Sequence, residues 1–483
     1  MAVWRPPERI KHLPNDAPWP TRAEVEGSRL FSTIQVGSVR LRARTWVPAM
    51  VPWRASEDGE VTPAVLAWYE RFARGRPAAL VVEATGVRDI ASGPLLRISD
   101  DRFLPGLKQL VECVRRASGG ETKLFIQIID FLSIRRRPDP AKFFQRFLEI
   151  TDRHREFFGM QTSDEAALRL RLQSATEEEL DRALSARELE ALRVGFRQRV
   201  TDMDVAEIRE LPAQLPAVFA AAAARAQQAG FDGVELHCAH AYTLASFLSA
   251  RNTRTDGYGG SPENRIRLPL EVLAAVRARV TQDFVVGCRL LAEECIESGS
   301  GVEDAALFAQ RFASAGMDFI SLSRGGKFED ASQPKVGEAA YPYTGRSGYE
   351  CMPSYYSDAK GPFGRNVGAS TKIRAAIRSA GFVTPIVLAG GMHHFAQAEQ
   401  ALREQAADII GFARQALADP DWFLKVREGR GDVVRRCIYT NYCEALDQRH
   451  REVTCELWDR IDLGAPGVML SADGKRRLVA PEK

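Results

Sequence analysis

Residues 212–238 read PAQLPAVFAAAAARAQQAGFDGVELHC. The first eighteen are alanine-rich with apolar positions at helical spacing, which predicts a helix over 212–229. Gly230 suits a helix C-cap, and 233–238 (GVELHC) is an apolar run with the length of a buried strand. This helix–glycine–strand unit recurs outward in both directions. Strands are expected at 45–50, 79–84, 123–129, 233–238, 284–290, 318–323, 385–390 and 408–412. Amphipathic helices fill 62–75, 105–118, 212–229, 263–280, 302–315, 369–380 and 394–405. Gly316 and Gly381 repeat the role of Gly230. Eight alternating units predict a closed (β/α)8 TIM barrel. The rival, an open doubly wound sheet, lacks a G-x-G-x-x-G after its first strand.

Two spacings break the rhythm. About 80 residues beyond strand 3, roughly 131–211, are helical and highly charged. They leave from the barrel's C-terminal face, so a lid or substrate wall is expected, with a solvated helical excursion as the alternative. The stretch 324–367 reads as a long loop over the same face. The organisation is then an N-terminal arm (1–28), a barrel (29–430) carrying the insertion, and a cysteine-containing extension (431–483).

Composition narrows the function. The 483 residues are 45% apolar and 27% charged, with 66 basic and 63 acidic residues leaving a net charge of +3. That balance gives no reason to bind nucleic acid. No apolar run reaches the ~18 residues of a membrane span, and the N-terminus lacks the apolar core of a signal peptide. Eight cysteines are too few for a disulfide scaffold, so a cytoplasmic location is expected.

A barrel carries its chemistry at the strand ends. There stand Pro48, Ala49 and Met50, then Glu83, Ala84 and Thr85, then Gln127. His237, Cys238, His240 and Tyr242 follow, then Arg289, Ser323, Gly390, Gly391 and Arg414. The set has no paired carboxylates for glycosidic work and no nucleophile elbow. Two imidazoles, an amide, a phenol, a guanidinium and a glycine pair suit a planar cofactor with a phosphate tail. His237 and His240 also admit a zinc-pair reading, although strand alternation would turn them apart unless the chain bends after Cys238.

The segment GFDGVELHCAHAYTLASFLSARNTRTDGYGGSPENR (230–265) resembles the old yellow enzyme family of NADH:flavin oxidoreductases. His237 and His240 stand as its H-x-x-H pair, followed by Tyr242 and the string from Asn252 to Arg265. Ser261, Pro262 and Glu263 in that string read as a helix start, so Ser261–Arg265 is taken as structural. The resemblance continues at LFSTIQVGSVRLRARTWVPAM, at Glu83–Thr85, at Gln127, at Arg289 and at DIIGFARQALADPDW. It implies FMN in the barrel mouth and NADH or NADPH as reductant. Pro48, Ala49, Met50, Ala84, Gln127, Arg289, Gly390, Gly391, Ala413 and Arg414 would bind the flavin. His237 and His240 would hold the carbonyl of a small substrate with an activated alkene, and Tyr242 would donate a proton to it. Flavin-dependent oxidation of a C–N or ring C–H bond, and a flavin-free barrel kept as a binding subunit, are the alternatives. A homo-oligomer is compatible with all three.

The sequence departs from the family at Val51-Pro52, at Ala413, where glycine is frequent, and after Gln127, where IIDFLSIRRR replaces a histidine-containing loop. Cys437, Cys443 and Cys455 align with ligands of the iron–sulfur members near 2,4-dienoyl-CoA reductase. Thr440 stands where their second cysteine would be, so an intact [4Fe–4S] cluster is disfavoured and a remnant expected. Another cysteine, for example Cys351, is a candidate for a fourth ligand. The C-terminal flavin/nicotinamide domain of those members is not expected here.

Overall fold

The computed structural model describes residues 17–90, 93–296, 298–325, 335–337, 362–447 and 449–482. A short antiparallel hairpin, β1 (Ile34–Val36) and β2 (Val39–Leu41), precedes eight parallel strands. These are β3 (Thr45–Val47), β4 (Ala79–Gly86), β5 (Lys123–Ile129), β6 (Gly233–Cys238), β7 (Val285–Leu291), β8 (Ile320–Ser323), β9 (Ile386–Leu388) and β10 (Ile409–Gly411). Each pairs with its chain neighbour, and β10 pairs with β3, so the sheet closes into a (β/α)8 barrel. All eight expected strands are present. The first is shorter than expected and ends at Val47, which puts Pro48–Met50 in the loop above it. The second runs on to Gly86 through a register shift between Val82 and Thr85.

The expected helices wrap the sheet within two or three residues of their predicted ends. Gly230 terminates Leu211–Ala229 in the left-handed conformation, at φ 96°. Gly316 and Gly381 do the same one residue past their C-caps, at φ 84° and 83°. A side chain there would strain the backbone, so the sequence signal and the turn have one cause.

Two layers fill the barrel. At the N-terminal end of the strands, Trp46 stacks on Phe125 (centroids 5.1 Å apart) and tilts against Phe319 (4.9 Å). All three rings are fully buried, each contributing roughly 1.5–3 kcal/mol. Gly287 is required by this packing: a Cβ there would meet the Phe319 ring at 2.2 Å. Val36 and Leu41 of the hairpin plug the same end. Above the aromatic layer the inward positions turn polar, and this second layer carries the candidate site.

The segment between β5 and the helix Leu211–Ala229 is a helical subdomain. A narrow neck closes it, with Ile134 bridging Arg197 and backbone bonds from Arg135 N to Phe196 O (2.7 Å) and Gln198 N to Ser133 O (2.9 Å). Thr176 with Glu179 and Ser185 with Glu188 form capping boxes that start two of its helices. Phe143, Phe144, Leu148, Leu168, Leu172, Leu180, Leu184 and Leu192 make a core separate from the barrel's. Most of the loop expected at 324–367, with Cys351, lies outside the described residues. Among the described residues no helix is long and apolar enough to cross a membrane.

Candidate active site

Strand alternation selects the site. Gln127 lies two residues beyond inward-facing Phe125, and Ser321 and Ser323 lie two and four beyond Phe319, so all face the barrel interior. Across the sheet Gln127 sits beside Glu235, and Arg289 sits between His237 and Ser321. Gln127 Nε2 donates to Glu235 Oε1 at 2.6 Å. Arg289 Nη1 donates to Ser321 Oγ at 2.7 Å. Glu235 is fully buried, and burial raises its carboxyl pKa against the pull of Arg289 and Gln127. Arg289 is half-buried, and this is its one hydrogen bond among the described residues, so most of its five donors remain for a ligand.

After β6 the chain bends as the zinc-pair argument required. His240 and Ala241 adopt φ 52° and 73°, left-handed values that non-glycine residues rarely take. The bend brings the two imidazoles together, ring centroids 5.1 Å apart. It does not make a metal site: among the described residues no group of three or more His, Cys, Asp or Glu is arranged to hold a metal ion. The bonding pattern instead assigns a direction. Ala239 N donates to His237 Nδ1 (3.2 Å), so His237 carries its hydrogen on Nε2. That atom faces His240 Nδ1 at 3.4 Å, and His240 Nε2 reaches Ser323 Oγ at 2.6 Å. Both rings are held neutral. Burial, then the neighbouring imidazole and Arg289, keep His237 well below its ordinary pKa; burial and then Arg289 bring His240 down to about 3.

Tyr242 follows at the mouth, half-buried, with its ring edge-on to His237 (5.1 Å) and to Phe131 (5.3 Å). Burial and then Asp447 raise its pKa, so the phenol stays protonated. The next residue fixes this turn to the neighbouring strand: Thr243 Oγ1 donates to Asp130 Oδ2 (2.6 Å), and Asp130 is gripped by Arg88 (2.5 and 2.9 Å). Arg254 secures the return of the insertion, donating to the carbonyls of Val200 (2.7 Å) and Ile208 (3.0 Å). Ser261 caps its helix and Arg265 binds Leu248 O (2.9 Å) and Asp304 (2.7 Å), the structural role expected of that string.

The far side of the mouth is built by the last two strands and the C-terminal extension. Gly390 and Gly391 are left-handed (φ 107° and 66°), and a Cβ at Gly391 would meet Pro362 O at 2.0 Å. Arg414 opens the helix after Ala413, lies over the Tyr439 ring (4.5 Å), and binds Asn441 (2.7 Å) and Glu444 (3.3 Å). Tyr439 in turn donates to Met392 O (3.4 Å), which links Arg414 to the glycine pair. The extension also reaches the first strand's loop: Trp53 donates to Asp447 (2.7 Å) and Val453 N to Pro52 O (3.0 Å). Ala49 and Met50 are half-buried beside that contact, and Ala84 is buried on β4.

Cys437, Cys443 and Cys455 do line one cavity with Arg414 and Tyr439, but its volume is about 20 Å³, room for roughly one water. Thr440 Oγ1 donates to Glu456. Burial raises all three thiols, Cys455 to about 12. Among the described residues three thiols, not the four a cluster normally takes, meet here, and Cys351 lies outside the described residues. On the opposite side of the mouth, Arg289 with most of its donors unspent, the Gln127 amide and the imidazole–phenol group fit the ring of a planar cofactor rich in hydrogen-bonding edges. Glu235 and Ser321 were missed in the sequence. The signal was available: each lies two residues before an inward-facing site residue on its own strand.

Comparison with known proteins agrees with this geometry. The NADH oxidase of Thermoanaerobacter brockii is 27% identical over 417 residues, covering 85% of this chain and 52% of that protein. The chain spans about half the length of the curated relatives it matches from end to end. A 2-naphthoyl-CoA reductase complexed with 2-naphthoyl-CoA superposes with a TM-score of 0.64 at 22% identity, over 89% of this chain and 56% of that one. The old yellow enzyme homologue of Zymomonas mobilis gives 0.53 at 21% identity, over 83% and 92%. These two likenesses show the shared fold. The family model described as NADH:flavin oxidoreductase / NADH oxidase matches residues 29–432, which is the hairpin, the whole barrel and the insertion, and the chain belongs to that family.

Proposed function

We propose that this chain is an FMN-dependent oxidoreductase that reduces an activated C=C bond at the expense of NADH or NADPH. The observation that carries the reading is the left-handed turn at His240–Ala241, which gathers His237, His240 and Tyr242 beside Arg289 at the barrel mouth. Bound FMN would supply the hydride chemistry between nicotinamide and alkene. Gln127 would hold an edge of the flavin ring through the amide oxygen, its Nε2 being bound to Glu235, and Arg289 would place positive charge beside it. Arg414 and the Gly390–Gly391 turn are the candidates for its phosphate end.

Neutral His237 and His240 hold a substrate carbonyl by N–H donation, and these bonds strengthen as negative charge develops on that oxygen. To reach the substrate, His237 turns its Nε2–H from His240 Nδ1 and His240 gives up its bond to Ser323. Tyr242 then gives its phenolic proton to the α-carbon, while the β-carbon receives the hydride, so two electrons and two hydrogens are added across the bond. The phenolate is reprotonated from solvent. The helical insertion rises from the same face and sets how large a substrate enters. A reducing, cytoplasmic setting belongs to this reading, since eight cysteines in 483 residues are too few for a disulfide scaffold.

The test is a pair of anaerobic half-reactions on the FMN-loaded protein. NADH or NADPH should bleach the flavin, and a cyclic enone should restore it with formation of the saturated ketone. Restoration by oxygen alone, with a secondary amine bleaching the flavin instead of the nicotinamide, would favour C–N oxidation and overturn the alkene reading.

A further inference from the structure

Glu235 is a carboxylate within the polar layer of the barrel, and it has no place in the proton and hydride steps. It is fully buried. Its Oε1 accepts from Gln127 Nε2 at 2.6 Å, and its Oε2 has no hydrogen-bond partner. Arg289 is the positive charge that acts on it, from the strand next to its own. Charge is costly to bury without such compensation, and an amide free to flip presents its oxygen and nitrogen in either order. One group therefore answers two questions the barrel poses: which way the Gln127 amide faces, and what offsets Arg289.

We infer that Glu235 is a positioning residue for the flavin ring, fixing the orientation of the Gln127 amide and offsetting the charge of Arg289. The inference rests on the flavin reading above. With Gln127 Nε2 committed to a carboxylate, its Oε1 is turned away to accept an N–H from the ring edge. Arg289, on the neighbouring strand, favours the ionised carboxylate against the cost of burial, and in return presents a partly neutralised charge, which limits how strongly reduced, anionic flavin is favoured over oxidised flavin.

The experiment compares FMN dissociation constants, oxidised and reduced, for the wild-type chain, Glu235→Gln and Glu235→Asp. Glu235→Gln removes the counter-charge. The ratio of oxidised to reduced Kd should rise about tenfold, read also as a midpoint potential shifted in the positive direction. Glu235→Asp keeps the charge but withdraws from Gln127. It should weaken oxidised FMN about tenfold and leave that ratio near wild type. A Glu235→Gln chain with reduced thermal stability but an unchanged ratio would show a merely structural role and overturn the inference. If Glu235→Gln does not fold, Glu235→Asp decides alone, and unchanged FMN affinity overturns it. A wild-type chain that binds no FMN would overturn the flavin reading itself, a result the wild-type titration gives separately.

Discussion

His240 Nε2 lies 2.6 Å from Ser323 Oγ, across the barrel mouth from β6 to the end of β8. Ala239 N sets the tautomer of both histidines: its bond to His237 Nδ1 passes each hydrogen in one direction through the two rings, ending at Ser323. Ser323→Ala removes the acceptor and lets the His240 ring turn. Turnover of an enone should fall about 5- to 10-fold in kcat/KM, with flavin reduction by nicotinamide unchanged. A full-speed variant would mean that the substrate alone orders the histidines.

Tyr242→Phe separates proton transfer from hydride supply. The ring keeps its edge-on contacts with His237 and Phe131, so the fold and the flavin pocket should be undisturbed. Flavin reduction should proceed at the wild-type rate while enone turnover drops about 10²- to 10⁴-fold. Stopped-flow measurement of the two half-reactions reads both. Equal loss in both would assign Tyr242 to cofactor binding instead.

The neutral histidines make stability depend on pH in a stated direction. His240 is depressed from an ordinary 6.5 to about 3 in the folded chain, so its contribution is complete above 6.5 and is lost as pH falls through about 3. His237 is depressed for the same first cause, burial, and adds to the trend. The urea midpoint of the wild type should therefore fall more between pH 7 and pH 4 than that of His240→Asn, which takes up no proton there. Parallel curves would show that His240 titrates normally.

The insertion has its own apolar core and a two-stranded neck, so its removal should be tolerated by the barrel. Joining Arg135 to Phe196 through a short glycine linker should leave the thermal unfolding of the barrel and FMN binding intact. KM should fall for bulky enones and change little for small ones. Unchanged KM across both sizes would make the insertion a bystander to the active site.

The alternation of helix, glycine and strand made the barrel legible, because strands buried on both faces leave continuous apolar runs that need no partner to be recognised. Gln127, Arg289, His237, His240 and Tyr242 were legible as polar residues in or just after such runs. Glu235 was legible only as an inward position, two residues before His237 on the same strand; its role needs Gln127 and Arg289, which arrive from adjacent strands. The neck at Ser133–Arg135 and Phe196–Gln198 was hidden for a related reason: it joins residues about sixty positions apart without an apolar pattern. The three C-terminal cysteines show the converse. Their spacing resembles a cluster motif, yet Thr440, where a further cysteine would stand, turns its hydroxyl to Glu456.

The central claim is that the polar layer above Trp46, Phe125 and Phe319 holds a flavin. It is tested most directly by incubating the purified chain with FMN without air, removing free cofactor, and recording its visible spectrum before and after denaturation. The account predicts a flavin band perturbed by the protein, one FMN released per chain, and loss of that retention in Arg289→Ala. A colourless chain that retains no FMN at any concentration tried would contradict it.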